Sequence, residues 1–455
     1  MSFYSIDPTS GEVFATYSAH DTTQVETILA ECFEAWTHWR PRSYRDRGAP
    51  LRSIADELRE RREPLAALMA REMGKPISEG RGEVNKCAWV CEHYAEHAAA
   101  YLGQESVNTD AANSFVGYQP LGVVLAIMPW NFPLWQVFRA AAPALMAGNA
   151  VLLKHAPNVM GCAQEIERLV GDAGLPRGLL RSLRIDIETT SRVLADPRVA
   201  AVTLTGSVRA GRAVAARAGD LLKKSVLELG GSDPYLILED ADLEHAARVC
   251  ARSRLINGGQ SCIAAKRLIV VERVRQEFEA RLVAELKRYR VGNPLDESTQ
   301  IGPMARLDLR DELHRQVRAS VAGGARVLLG CKQPTGPGSF YPPSALTDVS
   351  AGTPAYEEEL FGPVAAILPV PDEAGAIRTA NDTTYGLGAA VFTRDVERGE
   401  RIAERELEAG CCAVNTLVQS DPRLPFGGVK SSGYGRELGT LGIREFVNAK
   451  TVYRG

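Results

Sequence analysis

The sequence predicts an α/β fold built on parallel β-sheet, and three observations carry that prediction. Short, largely apolar runs such as Val123–Met128, Ala150–Leu153 and Ala200–Thr205 have strand length without charged residues, the pattern of strands buried on both faces. Stretches with helical spacing separate them. A second series of the same kind begins after Pro234.

Taken in order, residues 22–40 and 48–73 read as two amphipathic helices. In the second, Leu51, Ile54, Leu58, Leu65, Leu68 and Met69 recur at helical spacing among Arg and Glu. A third helix runs from about Gly80 to Leu102 and carries Trp89, Tyr94 and Tyr101. Residues 104–120 start polar and end in the strand-like Phe115–Tyr118, which suggests an arm or hairpin. The first strand series follows, with Gly148-Asn149 turning into Ala150 and helices near 159–172, 190–195 and 208–218. Gly230-Gly231-Ser232-Asp233-Pro234 reads as a domain junction. The second series is Tyr235–Leu238, Arg267–Val271 and Val364–Leu368, with helices near 241–256, 274–288 and 306–322. The tail from about Phe446 to Tyr453 reads as a strand.

Composition narrows the function classes. The 455 residues are 45% hydrophobic and 24% charged, which excludes disorder as the main state. A net charge of −3 gives no electrostatic footprint for nucleic acid or an anionic membrane. No apolar run approaches the roughly 18 residues that span a bilayer, and the N-terminus lacks the basic start of a secretory signal. The nine cysteines are an odd number, spread in a way that fits a reducing compartment rather than a disulfide framework. The expectation is a cytoplasmic protein with at least one unpaired thiol. No cluster has the spacing of a metal site.

Four local features bear chemistry. Cys262, in Asn257-Gly258-Gly259-Gln260-Ser261-Cys262, falls between a helix and a strand on a glycine turn. There a thiol can stand at a sheet edge among backbone N–H groups that favour thiolate and hold an oxyanion; the alternative is a buried structural cysteine. Thr205-Gly206-Ser207 runs a strand into a helix whose first turn offers N–H groups to a phosphate, with Gly211 one turn on, or is simply a tight turn. Glu228 lies between leucines before two glycines; buried, it would be a general base, and exposed, an ordinary surface charge. Asn131, in Pro129-Trp130-Asn131-Phe132-Pro133, is either a fixed amide donor or a turn residue.

In this order, and joined by Lys154, Glu359-Leu360-Phe361-Gly362-Pro363, Pro425-Phe426-Gly427-Gly428 and Lys430–Glu437, these motifs resemble the aldehyde dehydrogenase superfamily over essentially the whole chain. The resemblance implies two Rossmann-like parallel-sheet domains and a β arm for oligomerisation. Residues 1–101 and 121–230 would bind cofactor, 231–430 would form the catalytic domain, and 102–120 with 435–455 would form the arm. It implies Cys262 as nucleophile, Asn131 with the Cys262 N–H as oxyanion donors, and Glu228 as the base that activates hydrolytic water. Trp130, Lys154, Pro157, Gly206, Ser207, Gly211, Glu359 and Phe361 would line the cofactor, NAD or NADP. Pro157 offers neither a repelling carboxylate nor a binding serine for a 2′-phosphate, and without a clear phosphate donor the reading leans slightly to NAD. A homodimer or homotetramer is implied.

Within the superfamily, residues 130–139, 154–158 and 420–425 are most similar to the bacterial succinate-semialdehyde dehydrogenases. That similarity assigns the substrate's far carboxylate to Arg139, with Ser420 adding a hydrogen bond and Trp135 an apolar wall. Two departures stand out. Ile256 replaces a second carboxylate-binding Arg found in some relatives, and Ala264 replaces a redox-lock cysteine. The alternatives are another aldehyde, such as glutarate semialdehyde, or an inactive protein of the same fold.

Overall fold

The computed structural model describes residues 1–455. Its first large sheet has six strands in the order Gly433–Tyr434, Lys224–Glu228, Val199–Thr205, Val123–Met128, Ala150–His155, Leu180–Ser182. The strands are parallel except for Gly433–Tyr434, which pairs antiparallel with Leu227 and Glu228. Thus Gly433–Tyr434, between the expected catalytic domain and the tail, returns to the first sheet. Register places Ile127 beside both Lys154 and Leu204, and Thr205 beside Glu228, so these chemistry-bearing residues share one carboxyl edge.

The second sheet has seven strands in the order Arg326–Leu329, Ser344–Thr347, Val364–Val370, Arg267–Val271, Pro234–Ile237, Gly388–Phe392, Cys411–Val414. Only the pair Arg326–Leu329 and Ser344–Thr347 is antiparallel. Side chains alternate faces along a strand. Leu236, Ile269, Ala366 and Leu368 pack into one core, while Tyr235, Ile237, Leu268, Val270 and Ile367 pack into another. Both faces are covered by helices, so the apolar runs show no alternation in sequence. A third, antiparallel sheet joins Val447–Arg454, Asn113–Pro120 and Glu105–Ser106. No helix is long and apolar enough to cross a membrane.

The helix expected over 48–73 is two helices, Tyr44–Glu60 and Arg62–Met73. The chain turns at Arg61, and both halves then pack against Ile77–Tyr101, which one straight rod would not allow. The hairpin Ser2–Ile6 with Val13–Ser18 was not anticipated, nor were the short strands Leu180–Ser182, Lys224–Glu228, Arg326–Leu329, Ser344–Thr347, Gly388–Phe392 and Cys411–Val414.

One buried carboxylate aims the helix that faces the site. Glu83, on Ile77–Tyr101, accepts from the backbone N–H of Leu134 and of Trp135, both at 2.9 Å, capping helix Trp135–Ala147. Its other oxygen pairs with Lys75, whose side chain is fully buried. Glu83→Ala is expected to lower unfolding free energy by about 3–5 kcal/mol, because it strands a buried ammonium and two helix N–H groups. Urea unfolding checks this; a loss under about 1 kcal/mol would show that the pair is not a structural anchor.

Candidate active site

The two large sheets meet in opposite senses. Asn131, Lys154, Ser207 and Glu228 follow or end strands of the first sheet, while Cys262, Glu359 and Phe361 lie just before strands of the second. The chain crosses between the sheets twice here, from Glu228 to Pro234 and back from Val414 to Gly433, so a ligand lying along this seam touches loops from both.

Cys262 sits where it was expected, after helix Leu243–Leu255 and before strand Arg267–Val271. Asn257, Gly258 and Gly259 all have left-handed φ, 55°, 61° and 75°. A Cβ on Gly259 would lie 2.3 Å from the Gly362 carbonyl oxygen, so only glycine lets this loop approach the Glu359–Pro363 segment. The Lys266 ammonium donates to the carbonyls of Ser261 (2.8 Å) and Cys262 (2.6 Å), and Arg254 donates to that of Gly259 (2.6 Å). These cations hold the carbonyls, and the Cys262 N–H has no acceptor within the chain. The thiol, however, is not a resting thiolate: burial pushes it up to about 12 against the opposing charges of Lys266 and Arg139. The glycine turn exposes N–H groups, but desolvation outweighs them.

Asn131 is buried and faces the same loop. Its side-chain amide donates to the Gln260 carbonyl (3.0 Å), and its own carbonyl accepts from Asn257 (2.7 Å). The second amide hydrogen is uncommitted. Glu228 is buried, and neither carboxylate oxygen has a hydrogen-bond partner. Burial first, then the negative charge of Glu437, push its carboxyl well above the usual range; Arg139 and Arg436 pull the other way.

A cavity of about 510 Å³ brings Cys262, Trp135, Arg139 and Ser420 together. Arg139 is less available than expected. Its guanidinium is buried, ion-paired with Glu437, 3.3 Å from the Thr205 hydroxyl and 4.9 Å above the Phe426 ring. Glu437 had appeared only within a motif, and its role as the partner of Arg139 was missed because the two are far apart in sequence. Lys86, which lines the same cavity, was missed altogether. Its signal was a polar stripe, Glu79, Gly82, Glu83 and Lys86, at helical spacing. Ile256 lines the cavity, so no cation arises from that position.

The residues expected to hold a dinucleotide lie along the seam. Ser207 caps helix Val208–Asp220, its oxygen accepting from the Ala210 N–H (3.3 Å) and its hydrogen remaining free to donate. Gly206 is not a donor to ligand, because its N–H goes to the Glu228 carbonyl (2.9 Å). A Cβ on Gly211 would lie 2.4 Å from Leu229, so this glycine serves close helix–strand packing rather than ligand contact. Lys154 is held below its usual pKa by burial, against the pull of Asp186. Pro157 is exposed, while both amide atoms of neighbouring Asn158 are buried without partners. The Glu359 carboxylate accepts from the Gly231 N–H (3.2 Å) and pairs with Lys266 (3.2 Å), and Phe361 meets Trp130 edge-on at 5.8 Å. A capped helix start, a buried lysine, orphaned amide atoms, a carboxylate and an aromatic wall fit the phosphate, ribose and ring parts of a nicotinamide dinucleotide.

A sequence profile described as the aldehyde dehydrogenase family matches residues 1–452. The succinate semialdehyde dehydrogenase Sad of Escherichia coli strain K12, named for NAD(P)+, is 47% identical over 450 residues, covering 99% of this chain and 97% of that protein. A succinate-semialdehyde dehydrogenase of Mycobacterium avium, named for NADP(+), is 44% identical and covers 100% of this chain and 97% of its own length. The solved structure of succinic semialdehyde dehydrogenase from Streptococcus pyogenes with NADP+ superposes with a TM-score of 0.97 at 37% identity, covering 99% of both chains. With the motifs, the fold and these relatives in agreement, the chain belongs to the aldehyde dehydrogenase family.

Proposed function

We propose that the protein oxidises succinate semialdehyde to succinate with NAD+ or NADP+. The observation that carries this is the single cavity that holds the Cys262 thiol together with the cationic side chains Arg139 and Lys86 and the Ser420 hydroxyl, an arrangement suited to an aldehyde with a distal carboxylate. The relatives named above carry that activity in their names.

In this reading the Cys262 thiol gives its proton to water as its sulfur attacks the aldehyde carbon, and the free hydrogens of the Asn131 amide and the Cys262 N–H receive the oxyanion of the thiohemiacetal. Loss of hydride then leaves a thioester on Cys262; when bound, the nicotinamide supplies the hydride acceptor. Glu228 takes a proton from water, which attacks the thioester and releases succinate. Lys154 and Ser207 hold the adenosine and phosphate portions, with Glu359, Phe361 and Trp130 at the nicotinamide end. Asn131→Ala is expected to lower kcat by about 10²–10³-fold with little change in cofactor affinity, since it removes one oxyanion donor. Steady-state kinetics with cofactor titration checks this, and a change under about threefold would remove Asn131 from the oxyanion site.

The slight sequence lean to NAD finds no support in the relatives, whose names give NADP(+) or NAD(P)+. Pro157 leaves the position without a carboxylate that would repel a 2′-phosphate, which favours acceptance of both cofactors. We assign cofactor binding to residues 1–101 and 121–230 and catalysis to 231–430, and read 102–120 with 435–455 as an arm that joins subunits into a dimer or tetramer. Support comes from the outer strand Val447–Arg454, which has one unpaired edge and an exposed Tyr453. The nine free cysteines favour a reducing compartment, the cytoplasm.

The test is a substrate panel run with each cofactor: succinate semialdehyde, glutarate semialdehyde and uncharged butanal. The reading expects kcat/KM for succinate semialdehyde to exceed that for butanal by about 10- to 100-fold, the worth of charge-assisted contacts to one carboxylate. Equal values would overturn it, and a higher value for glutarate semialdehyde would move the substrate up by one methylene.

A further inference from the structure

We infer that Lys86, with Ser420, is the principal anchor for the substrate's distal carboxylate, and that Arg139 acts mainly by holding the site's buried charges. This rests on the dicarboxylic-semialdehyde reading above and names the residue that sets its specificity.

Arg139 enters the cavity already engaged. Glu437 neutralises it, Thr205 takes a second contact, and Phe426 covers one face of the guanidinium. A substrate carboxylate approaching it meets a pair of no net charge. Lys86 is in the opposite state. Its ammonium lies 4.4 Å from the centre of the Trp135 ring, and its one hydrogen-bond partner is the Ser420 oxygen at 2.8 Å. No carboxylate is ion-paired with it, and with one hydrogen on Ser420 two N–H donors remain. Because the Ser420 oxygen accepts from Lys86, its own hydroxyl hydrogen is left to donate outward. Ammonium and hydroxyl together offer two converging donors, one of them charged, to the two oxygens of a carboxylate. The Trp135 ring holds the ammonium in place, which limits the rotamer entropy lost on binding.

The position of Lys86 is built, not incidental. It lies on Ile77–Tyr101 one turn beyond Glu83, the residue that caps the helix carrying Trp135 and Arg139. One helix thus aims the apolar wall and supplies the cation. Arg252 also lines the cavity but is exposed, where a carboxylate keeps its water and gains little. Burial and the neighbouring Arg139 charge push Lys86 down to about 8, against the pull of Cys87, Asp421 and Glu83; Glu79 also lines the cavity. The ammonium is therefore charged at pH 7 and loses its charge just above, so carboxylate binding should weaken as pH rises past 8.

The experiment compares wild type with Lys86→Met and Lys86→Arg, using succinate semialdehyde and butanal. Lys86→Met should raise KM for succinate semialdehyde at least tenfold and change KM for butanal less than twofold, with kcat held within threefold for both. Lys86→Arg should recover most of the lost affinity and abolish the rise of KM above pH 8. As a readout besides turnover, succinate should shield Cys262 from alkylation in wild type and in Lys86→Arg, but not in Lys86→Met. Equal losses on the two aldehydes, or shielding by succinate that survives in Lys86→Met, would overturn the inference while leaving the proposed substrate intact. A wild type with no preference between the aldehydes would instead overturn the substrate reading, and this inference with it.

Discussion

Replacing Cys262 with Ala is expected to lower kcat by roughly 10⁴- to 10⁶-fold while the protein still folds and binds cofactor. The size follows from covalent catalysis. Without the sulfur there is no thiohemiacetal and hence no thioester, and Cys262 is the one cysteine that lines the cavity. Of the other eight cysteines, five are buried elsewhere in the fold. Folding should be spared because the loop is held by its backbone, through Lys266, Arg254, Asn257 and Gln260, rather than by the thiol. The wild-type thiol stands near 12 in the site as built, so its ionised fraction, and with it the acylation rate, should climb as pH rises from 7 to 9. Kinetics with a fluorescence titration of cofactor binding checks the variant. More than about 1% residual turnover would mean that the sulfur is not the nucleophile.

The second large effect is expected at Glu228→Gln. Steady-state turnover should fall by about 10²- to 10⁴-fold, while the first equivalent of reduced cofactor still forms, so the progress curve becomes a burst followed by a near-flat phase. The amide keeps the volume of the carboxyl but cannot accept water's proton. In wild type the carboxyl is pushed up by burial and by Glu437, so more of the basic form appears as pH rises, and hydrolysis should accelerate with it. The charge of Arg139 opposes the rise at both carboxyls, Glu228 and Glu437, without cancelling it. In Glu228→Gln the pH acceleration of the slow phase should vanish. If burst and steady state fell together, Glu228 would serve acylation, and the division of labour proposed here would fail.

The sequence was most legible where burial is complete. Val123–Met128 and Arg267–Val271 match their expected limits to the residue, because strands covered on both faces leave uninterrupted apolar runs. The N-terminal strand Ser2–Ile6 departs from the usual pattern after the buried Phe3: Tyr4 and Ile6 are exposed, while Ser5 is buried and its hydroxyl donates to the buried carboxylate of Glu72. Binary patterning misreads its second half. The turn at Arg61 is silent for another reason, since Leu58, Leu65 and Met69 stay in helical phase across it. At the site, Cys262 and Asn131 were legible through their turns. Lys86 was not, because a polar stripe on a helix ordinarily faces water, and only the tertiary fold shows that this one faces a cavity. The pairing that restrains Arg139 was hidden as well, since Glu437 reaches it from the far end of the chain.

The most direct test of the whole account is to trap the acyl-enzyme. Glu228→Gln is mixed with succinate semialdehyde and NADP+, quenched, and mapped by peptide mass spectrometry. The account predicts one succinyl group, borne as a thioester on Cys262 and on none of the other cysteines. An unmodified Cys262 after a full burst, or acylation spread over several cysteines, would contradict it.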